Sequence, residues 1–185
     1  MRTFIAVGIS DEVREKIAQI QAELKKGEPD VKWVEPENLH ITLKFLGEVS
    51  EDKLPGLIEK TRLAASGISP FRVHIIGLGS FPSLTSPRVV WVGVKTGKNE
   101  LRNLSERVEG NLSDLGFAKE KREFSAHLTI GRVRSGRKKE KLVKKIEEFA
   151  NYDVGEFSVD KVAIMESQLS SKGPAYKIVK ELRLE

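Results

Sequence analysis

The stretch Leu39-His40-Ile41-Thr42-Leu43-Lys44-Phe45 alternates apolar and polar side chains without interruption. Successive side chains of an extended strand point to opposite faces, so the pattern predicts a strand whose aliphatic face is buried. His40, Thr42 and Lys44 share the other face. An imidazole and the hydroxyl two residues later are therefore expected to point the same way, out of the core.

A second stretch, Ser125-Ala126-His127-Leu128-Thr129-Ile130-Gly131, repeats this chemistry 87 residues later, counted from His40 to His127. Since the chain has only three His, the two His-x-Thr patterns are a specific signal. A single histidine in a strand more often has no catalytic role, and duplication of the motif reverses that expectation. His74, the third histidine, has no threonine two residues on and is predicted to be structural or exposed.

Other landmarks recur at nearly the same spacing along the chain. Phe71 and Phe157 are 86 residues apart, and Pro87 and Pro174 are 87 residues apart. The order strand, helix, His strand, helix, strand occurs twice. No linker rich in Pro, Gly or Ser separates the two occurrences. The sequence therefore indicates an internal duplication.

We predict an α+β fold with two pseudo-symmetric lobes, each a mainly antiparallel sheet with helices on its outer side. Residues 1–185 would form a single two-lobed domain, with the duplicated units at about 1–87 and 88–185. A rough twofold relation between the lobes would bring the two His strands together. The predicted active-site cleft therefore lies between the lobes.

Periodicity and capping signals predict the individual elements. Ser10 is a candidate N-cap and Gly27 a stop for the first helix. Helices are predicted over residues 10–26, 50–66, 98–115 and 136–149. Strands are predicted over 2–9, 31–34, 39–45, 71–79, 88–94, 125–131, 156–165 and 175–184, with the last turn at Gly173-Pro174.

The composition is that of a globular protein, with 39% apolar and 32% charged residues in 185. No apolar run is long enough to span a membrane, and the first residues do not resemble a signal peptide, so we predict a cytoplasmic protein with no membrane partner. We also predict a monomer. The absence of Cys excludes disulfides, thiolate nucleophiles and cysteine zinc sites.

Positive charge is concentrated around the second His strand. Between Lys119 and Lys145 lie eleven Lys or Arg and three Glu, a net charge of +8 in a chain whose total is +5. Such a region favours an anionic ligand such as a polyanion. The alternative is a solvated helix surface, which is the commoner meaning of a charge run taken alone.

Two imidazoles with unperturbed pKa values near 6.5 can divide acid and base catalysis at neutral pH. Displacement at phosphorus needs this division, because a base deprotonates the incoming water while an acid protonates the departing alkoxide. Thr42 and Thr129 could donate hydrogen bonds to the non-bridging oxygens. Lys44 and Arg132 are candidate substrate-binding cations, although Arg132 needs a bulge at Gly131 to share the face of His127.

The paired motifs, together with Arg2-Thr3-Phe4-Ile5-Ala6, His40-Ile41-Thr42-Leu43-Lys44-Phe45-Leu46-Gly47 and Pro87-Arg88-Val89-Val90-Trp91, resemble the two-histidine (2H) phosphoesterases. The most similar branch is the 2′-5′ RNA ligase family of RNA 2′,3′-cyclic phosphodiesterases. The resemblance covers nearly the whole chain, and the four motif positions match without departure.

The resemblance implies that His40 is the proton donor, that His127 is the proton acceptor, and that Thr42 and Thr129 hold the phosphate. The implied reaction opens a terminal 2′,3′-cyclic phosphate of RNA to a 2′-phosphate, with 2′-5′ ligation of a 5′-hydroxyl RNA end as its reverse. It implies no cofactor and no metal. The implied partners are RNAs with such ends, tRNA among them.

Two other functions compete with this one. The chain could be a non-catalytic RNA-binding module whose His and Thr only contact phosphates, or a phosphodiesterase for a small cyclic-phosphate nucleotide. Four aromatic residues could stack on a base, although packing in the core or a hairpin is the commoner role for each. They are Trp33, Phe81, Phe124 and Tyr176.

Overall fold

Two antiparallel sheets and four helices make up the computed structural model, which describes residues 1–185. The helices are α1 (Asp11–Lys25), α2 (Leu54–Ala65), α3 (Lys98–Ser113) and α4 (Lys139–Glu148). The strands are β1 (Arg2–Val7), β2 (Val31–Trp33), β3 (Ile41–Glu48), β4 (Phe71–Pro82), β5 (Pro87–Val94), β6 (His127–Val133), β7 (Asp153–Val159), β8 (Lys161–Ser170) and β9 (Gly173–Arg183). The predicted α+β class is confirmed.

Each sheet takes strands from both halves of the sequence. The first sheet has the order β3-β1-β8-β9 and the second the order β2-β6-β5-β4-β7. Each histidine strand adjoins the first strand of its own half, since β3 pairs with β1 and β6 pairs with β5. The strands β4 and β8 cross over, because β4 completes the second sheet and β8 the first. The lobes are therefore the two sheets and not the two sequence halves.

One face of each sheet is covered by two helices. Helices α2 and α3 pack on strands of the first sheet, and α1 and α4 pack on strands of the second. Helix α1 begins as predicted, because the Ser10 side chain accepts a hydrogen bond of 3.2 Å from the Val13 amide. A cluster of 35 buried apolar residues includes members of both sheets and all four helices. None of these helices is long and apolar enough to cross a membrane.

Two predicted elements are divided in the structure, and the last turn lies at Ser171-Lys172 instead of Gly173-Pro174. The predicted helix over 50–66 is a 3-10 turn, Glu51–Lys53, followed by α2, which has Pro55 in its first turn. The predicted strand over 156–165 is two strands that separate at Asp160. Strand β7 pairs with β4 in one sheet and β8 with β1 in the other, so the chain changes sheets at this point. The pattern of apolar residues around Asp160 does not show that the pairing strand changes from β4 to β1.

Candidate active site

His40 immediately precedes β3, where two neighbouring groups fix its ring. Its Nδ1 lies 2.5 Å from the carbonyl oxygen of Asn38, and its Nε2 lies 2.9 Å from Thr42 Oγ1. A carbonyl can only accept, so Nδ1 carries the proton and donates a hydrogen bond to the Asn38 carbonyl oxygen. In the neutral ring Nε2 then accepts a hydrogen bond from the Thr42 hydroxyl. His40 and Thr42 therefore share a strand face and a hydrogen bond.

Aromatic rings surround the His40 imidazole on two sides. Phe4 of β1 stacks on it with ring centroids 4.9 Å apart, and Tyr176 of β9 meets it edge-on at 5.2 Å. The Asn38 side chain donates to the Pro174 carbonyl at 2.8 Å, which ties the turn before His40 to the β8–β9 hairpin. Burial lowers the pKa of His40, and the hydrogen bond to the Asn38 carbonyl opposes part of that shift.

His127, the first residue of β6, is held by the same kind of bond. Its Nδ1 donates to the carbonyl of Ser125, again two residues earlier, at 2.8 Å. Its Nε2 has no hydrogen-bond partner within the protein, and the Phe81 ring lies edge-on at 5.0 Å. Burial lowers the pKa of His127, the bond to Ser125 raises it, and the positive charge of Arg132 lowers it further.

A bulge in β6 brings Arg132 to the face of His127 and Thr129. Thr129 pairs with Trp91, and Gly131 pairs with the preceding residue Val90, so Ile130 is the extra residue. The predicted bulge therefore exists, one residue earlier than expected. Arg132 is exposed and forms no ion pair.

Lys44 lies on the opposite face of β3 from the one that the alternating sequence predicts. Two register shifts interrupt β3, and the first leaves Leu43 as an extra residue between Thr42 and Lys44. Lys44 consequently turns to the helix-covered face, where its side chain is 1% exposed. Its Nζ donates to Glu109 at 2.7 Å and to the Ala118 carbonyl at 2.8 Å. The prediction that Lys44 binds substrate beside His40 is therefore wrong.

The Lys44–Glu109 pair gives a stability prediction. Replacing Glu109 by alanine leaves a buried ammonium with only the Ala118 carbonyl as partner, so the free energy of unfolding should fall by about 3 kcal/mol. Urea denaturation measures this loss. The double variant Lys44→Met/Glu109→Leu is the control, because it removes both charges and should recover most of the stability. A loss below about 1 kcal/mol in Glu109→Ala would contradict the assignment.

The segment 117–126, which connects α3 to β6, lies beside both histidine strands. Its first part forms a groove of about 580 Å³ with Phe45 and Leu46 of β3. Its second part forms a cavity of about 450 Å³ with His127 and Trp91. Strands β3 and β6 also contact each other directly. The two His-x-Thr motifs belong to different sheets, but their strands contact each other and the segment 117–126 lies beside both.

The remaining candidates separate into two groups. His74 bonds to Asp153 at 2.8 Å, which lowers the pKa of that carboxyl, and it lies apart from both His-x-Thr motifs. Nowhere do three or more His, Asp or Glu side chains converge in a metal-binding arrangement. The basic region has two parts. Lys119, Lys121 and Arg122 lie on the segment between the His strands, whereas the cations of α4 lie on a helix that covers the other face of the second sheet, away from His127. The alternative of a solvated helix surface describes the α4 part.

Three residues that surround the histidines, Phe4, Trp91 and Asn38, are not among the predicted site residues. Phe4 and Trp91 are separated by the same 87 residues as His40 and His127, and each lies on the face of its histidine. That shared spacing was the available signal. Asn38 gave none, because its role depends on a contact with Pro174 that is distant in sequence.

The chain is similar in sequence and in fold to several known proteins. The family model described as LigT like phosphoesterase matches twice, at residues 7–91 and 92–176. An Archaeoglobus fulgidus protein named RNA 2′,3′-cyclic phosphodiesterase is 45% identical over 96% of this chain and 97% of its own length. A Methanocaldococcus jannaschii protein of the same name is 40% identical over 98% and 99%. The structure of E. coli LigT in complex with 3′-AMP has a TM-score of 0.76 and 26% identity, covering 99% and 97% of the two chains.

Proposed function

Because this chain belongs to the LigT-like phosphoesterases of the 2H superfamily, we propose that it is an RNA 2′,3′-cyclic phosphodiesterase that forms 2′-phosphate ends. The observation that carries the proposal is the matched pair of motifs. In both, a carbonyl two residues earlier holds the histidine Nδ1 and leaves Nε2 available for proton transfer. Two equivalent imidazoles on bordering strands supply the acid and the base that the reaction needs.

In the proposed reaction His127 is the base and His40 the acid. His127 Nε2, which has no partner in the protein, takes a proton from water as the water oxygen attacks phosphorus. The bond from phosphorus to the 3′-oxygen breaks, and protonated His40 donates a proton from Nε2 to that oxygen. The products are a 2′-phosphomonoester and a 3′-hydroxyl. Because burial lowers both pKa values, the two rings would exchange protons most effectively on the acidic side of pH 6.5.

The two threonines and Arg132 would stabilise the charge that develops on the phosphoryl oxygens. Each threonine lies on its histidine's face, and a hydroxyl donor aimed at a non-bridging oxygen is worth more as that oxygen gains charge. Arg132 adds a cation with no protein partner. Running in reverse, the same groups would join a 5′-hydroxyl RNA end to a cyclic phosphate as a 2′-5′ bond. No cofactor takes part in this scheme.

We further propose that residues 1–185 act as a single domain whose two sheets bring both histidines to one phosphate. The contact of β3 with β6 and the segment 117–126 beside both strands support this. The apolar cluster that spans both sheets supports a single folding unit.

The pH dependence of kcat/KM tests the assignment of acid and base. Lowering the pH protonates His127 and removes the base, and raising the pH deprotonates His40 and removes the acid. Burial lowers both pKa values from about 6.5, so kcat/KM should be bell-shaped with its maximum below about pH 6.5. In Arg132→Ala the pKa of His127 should rise, moving the acidic limb to higher pH, whereas Arg132→Lys should keep the limb in place.

A flat profile, or an acidic limb that does not move in Arg132→Ala, would contradict this assignment. The profile should be insensitive to EDTA, because the proposed acid and base are both imidazoles. If activity required an added divalent metal, the two-histidine mechanism would have to be abandoned.

The experiment that tests the function identifies the product end. An RNA ending in a 2′,3′-cyclic phosphate is incubated with the protein, and the product is resolved as a 2′-phosphate, a 3′-phosphate or a joined strand. We expect the 2′-phosphate, with joined strands only when a 5′-hydroxyl RNA is in excess. A 3′-phosphate would mean that the 2′-oxygen leaves and would overturn the proposed reaction.

A small cyclic-phosphate nucleotide is the competing substrate. The cavity of about 450 Å³ beside His127 favours it, because that volume lies in the range of small-molecule sites. A kcat/KM for 2′,3′-cyclic AMP equal to or above that for an oligonucleotide would support the small substrate. A large preference for the oligonucleotide would support RNA.

A further inference from the structure

We propose that the groove between Phe45 of β3 and residues 117–122 binds the single-stranded RNA that precedes the cyclic phosphate. This inference rests on the proposed function, because it assumes that the reacting end lies at His40. It adds a binding site for the body of the RNA, with Phe45 as a stacking platform and three cations as phosphate contacts. The segment 117–122, together with Phe45 and Leu46, is called the basic groove below.

The β3 bulge that buries Lys44 also exposes Phe45. Phe45 pairs with Phe4, so both rings lie on the face of His40, and their centroids are 6.0 Å apart. Phe4 itself stacks on His40 at 4.9 Å. A row of three rings therefore runs from the candidate acid to the basic groove. Its outermost member, Phe45, is 64% exposed although it is a large apolar residue.

The opposite side of the basic groove carries unpaired positive charge. Lys119, Lys121 and Arg122 are all exposed, and none forms an ion pair. Glu120 is the single acidic residue of the lining, which leaves a net positive groove. Aromatic platforms flanked by cations are the usual means of holding single-stranded nucleic acid without base readout. Charge and shape thus favour a single-stranded polyanion over an apolar partner.

Two hydrogen bonds hold this segment against Lys44 of β3 and Glu109 of α3. The Ala118 carbonyl accepts from Lys44 Nζ at 2.8 Å, and the Glu120 amide donates to Glu109 at 3.3 Å. Lys44 and Glu109 are themselves paired at 2.7 Å. The backbone on either side of Lys119 is therefore tied to β3 and α3, which keeps the segment beside Phe45. The volume of the groove, about 580 Å³, lies within the range of known ligand-binding pockets.

A comparison of a long and a short substrate tests the aromatic platform. The substrates are a ten-nucleotide RNA ending in a 2′,3′-cyclic phosphate and 2′,3′-cyclic AMP. In Phe45→Ala the ratio of kcat/KM for the RNA to kcat/KM for the nucleotide should fall at least about fivefold, the effect of losing one stacked base. Tyr152→Ala is the matched control, because Tyr152 is an exposed aromatic packed against Phe149 away from the groove. Its ratio should equal that of the unmodified protein.

Salt dependence tests the cations. Removing Lys119, Lys121 and Arg122 together should reduce the slope of log K against log salt by about 2, since each phosphate contact on a single strand contributes about 0.7. The control removes the same number of charges from α4, as Lys139→Ala/Lys141→Ala/Lys144→Ala, and should leave the slope unchanged. Fluorescence anisotropy with a ten-nucleotide RNA measures both slopes, and urea denaturation checks that each variant is folded.

The outcomes separate this inference from the proposed function. An unchanged ratio in Phe45→Ala, or equal slopes for the two triple variants, would overturn the groove while leaving the reaction intact. If the unmodified protein turned over neither substrate, the proposed function would fail. The anisotropy experiment would then still test whether the groove binds RNA, because it uses an RNA with an ordinary 3′-hydroxyl end and needs no turnover. Weaker binding in Phe45→Ala would support the groove, and equal binding would overturn it.

Discussion

Turnover of an oligonucleotide with a 2′,3′-cyclic phosphate is expected to fall by about 10²- to 10⁴-fold in His40→Ala, and by a similar factor in the separate variant His127→Ala. Each variant removes one partner of a proton-transfer pair. Because the two rings act as a unit, the double variant should lose little more than either single one. Affinity for the RNA should change little, since the proposed phosphate contacts are made mostly by Thr42, Thr129, Arg132 and the basic groove. Single-turnover kinetics and anisotropy separate these two effects.

His74→Ala is the internal control for the histidine variants. His74 lies in another strand and is engaged by Asp153, so its loss should leave turnover within about twofold. Turnover of either active-site variant within tenfold of the unmodified protein would contradict its role. Losses that add in the double variant would show that the two rings act in separate steps.

Thr42→Ala and Thr129→Ala are each expected to lower kcat by about 10²- to 10³-fold, the usual effect of deleting one donor to a developing oxyanion. Thr→Ser should retain much of the activity because it keeps the hydroxyl. Thr→Val keeps the branched shape without the hydroxyl and should behave like alanine. A Val variant with near-normal kcat would show that the hydroxyl donates nothing to the reaction.

The two threonine variants should differ in one respect. Thr42 bonds to His40 Nε2 at 2.9 Å, whereas Thr129 forms no hydrogen bond to His127. Thr42→Ala should therefore also shift the alkaline limb of the pH profile, which reports His40. Thr129→Ala should lower the whole profile without moving either limb. Identical shifts in both variants would contradict this difference in contacts.

Features of the fold that follow local periodicity were predictable from the sequence. The period of two placed His40 and Thr42 on one face, and the odd spacing of Arg132 from His127 correctly required a bulge. The 87-residue repeat predicted two related units and the α+β class. Strand alternation depends on neighbouring residues and the repeat on recurring spacing, so both can be seen in the sequence without knowledge of strand pairing.

Features set by distant partners were not predictable. The register shifts of β3 against β1 exchange the faces of Lys44 and Phe45, and nothing in the alternating pattern announces them. The same shifts produce both the buried Lys44–Glu109 pair and the exposed platform. The change of sheet at Asp160 and the hydrogen bond from Asn38 to Pro174 likewise depend on residues far away in the chain.

A crystal structure with an RNA that ends in a 2′-phosphate tests the central claim most directly, because both imidazoles must reach one phosphoryl group. The proposed mechanism predicts Nε2 of His40 and Nε2 of His127 each within about 3 Å of the product's phosphate or 3′-oxygen, with both threonine hydroxyls on the remaining oxygens. A phosphate held by one histidine while the other faces a separate part of the surface would contradict it.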